Sequence, residues 1–286
     1  MSTVINIEDD ILMENMIENI IWVALGLLII ATLVPKKNKS KYTISGLGWI
    51  VFTGHWILQW QHYYELLDYV NLFLTICAAL FSFYLGYFLL IRKEIIFKNI
   101  NGINTINSIT MLTTASSIGG LSYFVFSEIP LMNSWIITTV TDQTVWLGSI
   151  LGITISRLDW NLIAVNGYKV EIILACTAIE SIALFAGIIA SVNAPYKKLA
   201  SAFIISVPVI YGLNLIRNVF VVDAYGMTWF GDPEMSFYIA HTVIAKIGSM
   251  IALFFIAYAV LKILPEIIDM IDGLIDLVGG IFKNAG

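Results

Sequence analysis

Apolar residues in this chain gather into long runs, not into the every-third-or-fourth stripe of a soluble amphipathic helix or the short alternation of a half-buried strand. Seven runs approach the roughly 20 apolar residues that a helix needs to cross a bilayer: Ile17–Val34, Gly46–Trp60, Val70–Ile91, Ile106–Phe126, Leu174–Val192, Ala200–Val222 and Phe237–Ile263. The second is short, and the fourth is interrupted by Thr110, Thr113, Thr114, Ser116 and Ser117. The pattern predicts an all-α polytopic membrane protein with about seven transmembrane helices.

Two stretches depart from it. Between the fourth and fifth runs, Leu131–Leu151 is apolar but broken by Thr141, Asp142, Gln143 and Thr144. It reads as a helix lying in the membrane interface, with Trp135 and Trp146 as anchors. Trp160–Val165 and Tyr168–Ile173 then flank Asn166-Gly167. Asn-Gly between two β-prone runs is the strongest short-range hairpin signal, so a small extracytoplasmic β-hairpin is expected to feed the fifth span. After Pro265, isoleucines and leucines alternate with Glu266, Asp269, Asp272 and Asp276, an amphipathic tail expected on the inner surface. The resulting organisation is an N-terminal four-helix region (1–126), the interfacial helix and hairpin (127–173), a three-helix region (174–263) and the tail (264–286). No internal repeat points to a transporter built from inverted halves.

Composition supports the membrane assignment, and charge supplies an orientation. Hydrophobic residues make up 59% of the chain and charged residues 12%, against about 25% charged in soluble domains. Lys36, Lys37, Lys39 and Lys41, then Arg92, Lys93 and Lys98, then Lys197 and Lys198, and finally Lys262 and Lys283 occupy alternate connections and the tail. The opposite connections hold only Arg157 and Lys169. The positive-inside rule places the N-terminus outside and the C-terminus inside. The first fifteen residues carry Glu8, Asp9, Asp10 and Glu14 without Lys or Arg, the wrong charge for a cleaved signal peptide, so the first run is expected to remain as a helix. A net charge of −5 argues against a nucleic-acid partner. Cys77 and Cys176 both fall in apolar segments and do not make a disulfide framework.

Polar groups inside spans are candidates for function because they are expensive to place there. The fifth span opens with Cys176, Thr177 and Glu180, and reading it as continuous helix puts Glu180 one turn below Cys176 on one face. The sixth ends with Asn214, Arg217 and Asn218, and the seventh opens with His241, with Lys246 deeper. Because these spans alternate in direction, Cys176 early, Arg217 late and His241 early all come level at the outer edge. Singly, each has an ordinary explanation: a packing cysteine, a snorkelling arginine, an interfacial histidine. Together they can perform nucleophilic chemistry. An adjacent cation favours a thiolate, a histidine can activate it and protonate a leaving amine, and an arginine can hold a developing oxyanion. Asn214 and Asn218 can add donors or orient the arginine.

The runs Leu174-Ala-Cys-Thr-Ala-Ile-Glu-Ser181 and Asn214-Leu-Ile-Arg-Asn-Val-Phe220, followed by a histidine at the head of the next span, resemble the exosortase/archaeosortase family, and its archaeal branch most. The resemblance is specific over about residues 170–250. It implies a membrane-embedded cysteine transpeptidase or protease without a cofactor. Its substrates would be membrane-anchored secreted or surface proteins ending in a tripartite signal: a short motif such as Pro-Gly-Phe, a transmembrane helix and a basic tail. It implies a thioester acyl-enzyme and, in archaeosortases, attachment of the new C-terminus to a membrane lipid. By the same resemblance Cys176 is the nucleophile, Arg217 the stabilising cation and His241 the third member. Some archaeosortases have arginine in that third place; this chain has no Arg after Arg217, which leaves His241, with Lys246 as the other candidate.

Two competing readings make different predictions. A scaffold or small-molecule transporter would not need Cys176. A metal-dependent enzyme built on Glu180 and His241 would need a ligand set, and no His-x-x-x-His or Glu-x-x-x-His pattern is present on one helix.

Overall fold

The structure is a computed structural model describing residues 19–35, 38–65, 68–91 and 100–283. The acidic N-terminal segment, the start of the first apolar run, Lys36 and Lys37, and the connection holding Arg92, Lys93 and Lys98 lie outside the described residues. In chain order the helices are α1 (Asn19–Leu33), α2 (Lys39–Glu65), α3 (Tyr69–Ile91), α4 (Ile100–Glu128) and α5 (Pro130–Ile150). Strands β1 (Ser156–Arg157), β2 (Leu162–Val165) and β3 (Tyr168–Glu171) follow, then a 3-10 turn at Leu174–Cys176. The chain continues through α6 (Ile179–Ser191), α7 (Tyr196–Gly226), the short α8 (Pro233–Phe237), a π-helical segment Tyr238–Ile244, α9 (Ala245–Ile263) and α10 (Glu266–Lys283). These elements form two units, Met1–Ile118 with Ile268–Gly286, and Gly119–Ile267.

Among the described residues, four helical stretches are long and apolar enough to cross a membrane: Tyr69–Ile91, Ile106–Glu128, Tyr196–Gly226 and Pro233–Ile263, the last running from α8 through α9. The expectation of about seven is met by these four and not confirmed for the other runs. The second run belongs to a 27-residue helix that starts at Lys39, well before Gly46, and Thr53, His55, Gln59 and Gln61 dilute its apolar character. The fifth run loses its first turns to the 3-10 turn, so α6 has only 13 residues. At 1.5 Å per residue that is about 20 Å, short of a bilayer core of about 30 Å.

In the first unit, α2 and α3 meet where Gly46 and Gly86 face each other. A Cβ on Gly46 would lie 3.2 Å from the Gly86 carbonyl oxygen, and one on Gly86 would lie 3.0 Å from that of Gly46. Small residues permit this approach, as in membrane helix pairs generally. Leu28, Tyr42, Trp49, Leu85, Leu89, Ile106 and Ile109 form the core. Thr113, Thr114 and Ser117 of the fourth run have their hydroxyls satisfied. Thr113 Oγ1 donates to the Ile109 carbonyl (2.8 Å) and receives from Trp49 Nε1 (3.1 Å), while Thr114 and Ser117 donate to carbonyls one turn back. Lys41, read above as a topology charge, is buried and donates from Nζ to the Ala31, Thr32 and Val34 carbonyls at the end of α1. The cation thus satisfies carbonyls that the helix itself leaves without partners. Leu274 of the tail helix packs on the same core.

The second unit holds the hairpin. β2 and β3 pair antiparallel, with Val165 opposite Tyr168. Asn166 and Gly167, at φ 52° and 86°, make the turn; positive φ at both central residues is what a type I′ turn requires. A third strand, β1, which the sequence did not announce, pairs Ser156 with Ala164. Arg157, one of the two cations of this connection, forms an ion pair with Asp142 of α5. Helix α5 buries Ile137, Val140, Thr141, Thr144 and Gly148, one stripe at helical spacing, and leaves Trp135 and Trp146 exposed. Ile137 and Val140 join Ile163, Val165, Ile172, Leu215, Val219 and Val222 in a core that clamps α5 and the sheet to α7.

The clamp depends on Gly226. A Cβ there would sit 2.4 Å from Val165 Cγ1 and 3.0 Å from the Val165 carbonyl oxygen, and Asn166 Nδ2 donates to the Gly226 carbonyl at 3.2 Å. Gly226→Ala is therefore expected to destabilise the protein by about 1–3 kcal/mol, the usual cost of overpacking. Thermal unfolding in detergent checks it; an unchanged midpoint would show that the hairpin does not rest on α7 this closely.

Candidate functional site

The backbone around Cys176 departs from the continuous helix expected of the fifth span. Cys176 N donates to the Ile173 carbonyl (2.8 Å) and Thr177 N to that of Leu174 (3.0 Å), closing the 3-10 turn. Thr177 Oγ1 also donates to the Leu174 carbonyl (2.6 Å) and accepts weakly from Ile179 N (3.4 Å). Ala178 then takes the left-handed conformation (φ 59°, ψ 12°) before α6 begins at Ile179. For a residue with a Cβ this costs about 1–2 kcal/mol, and such strain persists only where the surroundings impose it. Cys176 and Glu180 consequently do not share a helix face, contrary to the expectation.

The turn leaves the Cys176 carbonyl outside any helix ladder, and a buried carbonyl needs a donor. Two carboxamides supply it. Asn214 Nδ2 donates at 2.7 Å and Asn218 Nδ2 at 2.9 Å. Asn214 and Asn218 are one turn apart on α7 and so project from one face; both are buried. Asn218 Oδ1 in turn accepts from Arg217 Nη1 at 3.3 Å. Asn218 thus ties the backbone of the cysteine to the guanidinium.

Arg217 is half-buried and lines a cavity of about 420 Å³, together with Glu180, Lys246 and Asn214. The cysteine and histidine side chains are not among its lining; their chain neighbours Ala175, Ala178, Ile244 and Ala245 are. Cys176 is half-buried, a free thiol resting against the apolar core shared by α5, the sheet and α7. His241 lies within the π-helical segment, its ring stacked on Phe237 with centroids 5.1 Å apart and planes 5° off parallel. Cys176, Arg217 and His241 therefore collect at one end of the α6, α7 and α9 bundle; Asn218 ties the first two together, and among the described residues no direct hydrogen bond joins the three.

Some features had no sequence signal. The π-helical segment depends on an inserted register that composition does not mark. Tyr211 of α7 hydrogen-bonds Gln143 of α5, and Asp223 is buried with Oδ1 lacking a partner. Among the described residues no group of three or more His, Cys, Asp or Glu gathers as a metal site would require.

A family model described as transmembrane exosortase (Exosortase_EpsH) matches residues 14–260, most of the chain and all of the residues just described. The chain belongs to the transmembrane exosortase family. Among this exosortase's relatives, archaeosortase A of Haloferax volcanii is 26% identical over an alignment covering 91% of this chain and 93% of the relative. Archaeosortase A of Natronomonas pharaonis is 23% identical, with 90% and 88% covered. The family match from residue 14 means that the N-terminal helices of this exosortase are part of the family's common extent. No solved structure matches the chain. Its membrane character rests on both the family and the four apolar helices.

Proposed function

We propose that this exosortase-family protein is a membrane-embedded cysteine transpeptidase that cleaves C-terminal tripartite sorting signals through a thioester, coupled to attachment of the product to a membrane lipid. The observation that carries the reading is the clasp on Cys176: two buried carboxamides fix its backbone, and one of them also holds Arg217. A thiol on a fixed turn, a cation beside it and an open cavity are the parts that acyl transfer needs. The names of the archaeosortase A relatives support the same class.

In this reading His241 takes the Cys176 proton, and the thiolate sulfur attacks the scissile carbonyl carbon. Arg217 holds the oxyanion. As the tetrahedral intermediate collapses, the C–N bond breaks and the leaving amine takes the proton from His241. The acyl group remains on sulfur as a thioester. A second nucleophile, a lipid hydroxyl or amine or water, gives a proton to His241, attacks the thioester carbon and releases the thiolate. Glu180 and Lys246 flank the path, and Thr177 holds the turn. The three-helix region 174–263 carries this chemistry, and 127–173 covers the recognition motif. The regions 1–126 and 264–286 complete the membrane body and its inner face. The N-terminus lies outside, the C-terminus inside, and the site faces outward.

One experiment tests both chemistry and sidedness. In a Cys77→Ser background, a co-expressed protein ending in a short motif, an apolar helix and a basic tail is processed. A membrane-impermeant maleimide added to intact cells then stops that processing. Processing that persists under the reagent, yet stops when it is applied to inverted vesicles, would place the thiol on the inner side; persistence in both would remove the cysteine from the mechanism.

A further inference from the structure

A catalytic histidine needs its ring aimed, because rotation about the last bond of the imidazole is intrinsically broad. Proteins usually aim it by a hydrogen bond to the second ring nitrogen. Among the described residues, neither nitrogen of His241 has such a bond. What meets the ring is the face of Phe237, parallel to within 5° at 5.1 Å. The contact lies across the junction of α8 with the π-helical segment. The wider turn there changes the angular offset between residues four apart, and such segments are frequent at functional sites.

Phe237 is itself held. Its ring meets Tyr225 edge-on, with centroids 5.3 Å apart, and Tyr225 meets Tyr168 at 5.2 Å. Tyr168 opens β3 directly after the Asn166–Gly167 turn, and the hairpin is pinned to α7 by the close approach at Gly226. A series of rings thus runs from the rigid hairpin to the imidazole, through residues that the mechanism does not otherwise use. Aromatic pairs add about 0.5–1.5 kcal/mol each beyond burial, and they favour defined ring geometry.

We propose that Phe237, backed by Tyr225 and Tyr168, is the positioning residue for His241, its ring face setting the plane of the imidazole and the direction of both ring nitrogens. The proposal rests on the transpeptidase reading for its purpose, but not for its geometry. An i, i+4 aromatic contact that merely packed would tolerate an aliphatic side chain of similar volume. A positioning contact requires a ring.

The test uses the full chain, labelled with 13C-histidine, in lipid nanodiscs. The chain has three histidines, and the His241 Cε1–H resonance is assigned by its loss in His241→Gln. Ring current from Phe237 displaces this resonance in the wild-type protein; Phe237→Leu abolishes the displacement and Phe237→Tyr retains it. Cleavage of a purified tripartite substrate is measured in parallel. Phe237→Leu lowers kcat by about tenfold with KM unchanged, a modest case of the penalty for misplacing a reacting group. Phe237→Tyr restores kcat, and Phe237→Leu has no further effect in a His241→Gln background. A resonance indifferent to Phe237→Leu, or a kcat loss equal in Leu and Tyr variants, overturns the proposal. A displaced resonance in a wild-type protein that cleaves nothing leaves the ring contact standing and overturns the transpeptidase reading instead.

Discussion

Cys176→Ala is expected to leave a co-expressed tripartite substrate uncleaved, a loss on the order of 10⁴-fold or more, as when the nucleophile of a cooperating catalytic unit is removed. Cys176→Ser should fall almost as far. A serine hydroxyl ionises at far higher pH than a thiol. The fold should tolerate both changes. What holds the turn is the backbone carbonyl of residue 176, bound by Asn214 and Asn218, and neither substitution touches it. The side chain meets the apolar core only from its edge. An immunoblot for full-length and trimmed substrate, beside the unfolding midpoint of each variant, is the measurement. Normal trimming in both variants would sink the cysteine mechanism and favour the scaffold reading.

The second large effect is expected at Arg217. Arg217→Gln should lower kcat/KM by roughly 10²–10³, the range for losing one preorganised oxyanion donor. Arg217→Lys should recover only part of it. A lysine keeps the charge but loses the planar fork, which here is turned both to the cavity and to Asn218 Oδ1. The unfolding midpoint should move little, because Asn218 keeps its bond to the Cys176 carbonyl. Steady-state kinetics on the purified protein check the ratio. A full recovery with lysine would show that charge alone is used, and wild-type kinetics in the Gln variant would remove Arg217 from the transition state.

The contrast between the hairpin and the Cys176 turn shows what a local pattern can encode. The hairpin was legible because Asn166-Gly167 is a local instruction: glycine accepts positive φ without a Cβ clash, asparagine tolerates it better than most residues, and the flanking runs prefer strands. Its third strand was not legible, because β1 has two residues and gains its identity only from pairing with β2. The start of α6 misled for a related reason. Leu174 to Ser181 is uniformly compatible with helix, and nothing local stops it. The break at Ala178 accompanies the capture of the Cys176 carbonyl by Asn214 and Asn218, which lie 38 and 42 residues beyond Cys176.

Sequence alone therefore determined the class of this protein and the family its motifs resemble. Apolar run length and charge scarcity dictate a membrane protein, since lipid rewards nothing else. The placement of Cys176, Arg217 and His241 at facing ends of consecutive runs brings them to one end of the bundle. Tertiary structure alone decided how they are held: the strained turn, the carboxamide clasp, the π-helical register and the ring against His241. Each of these trades local backbone preference for contacts between segments distant in the chain, and no local pattern encodes that exchange.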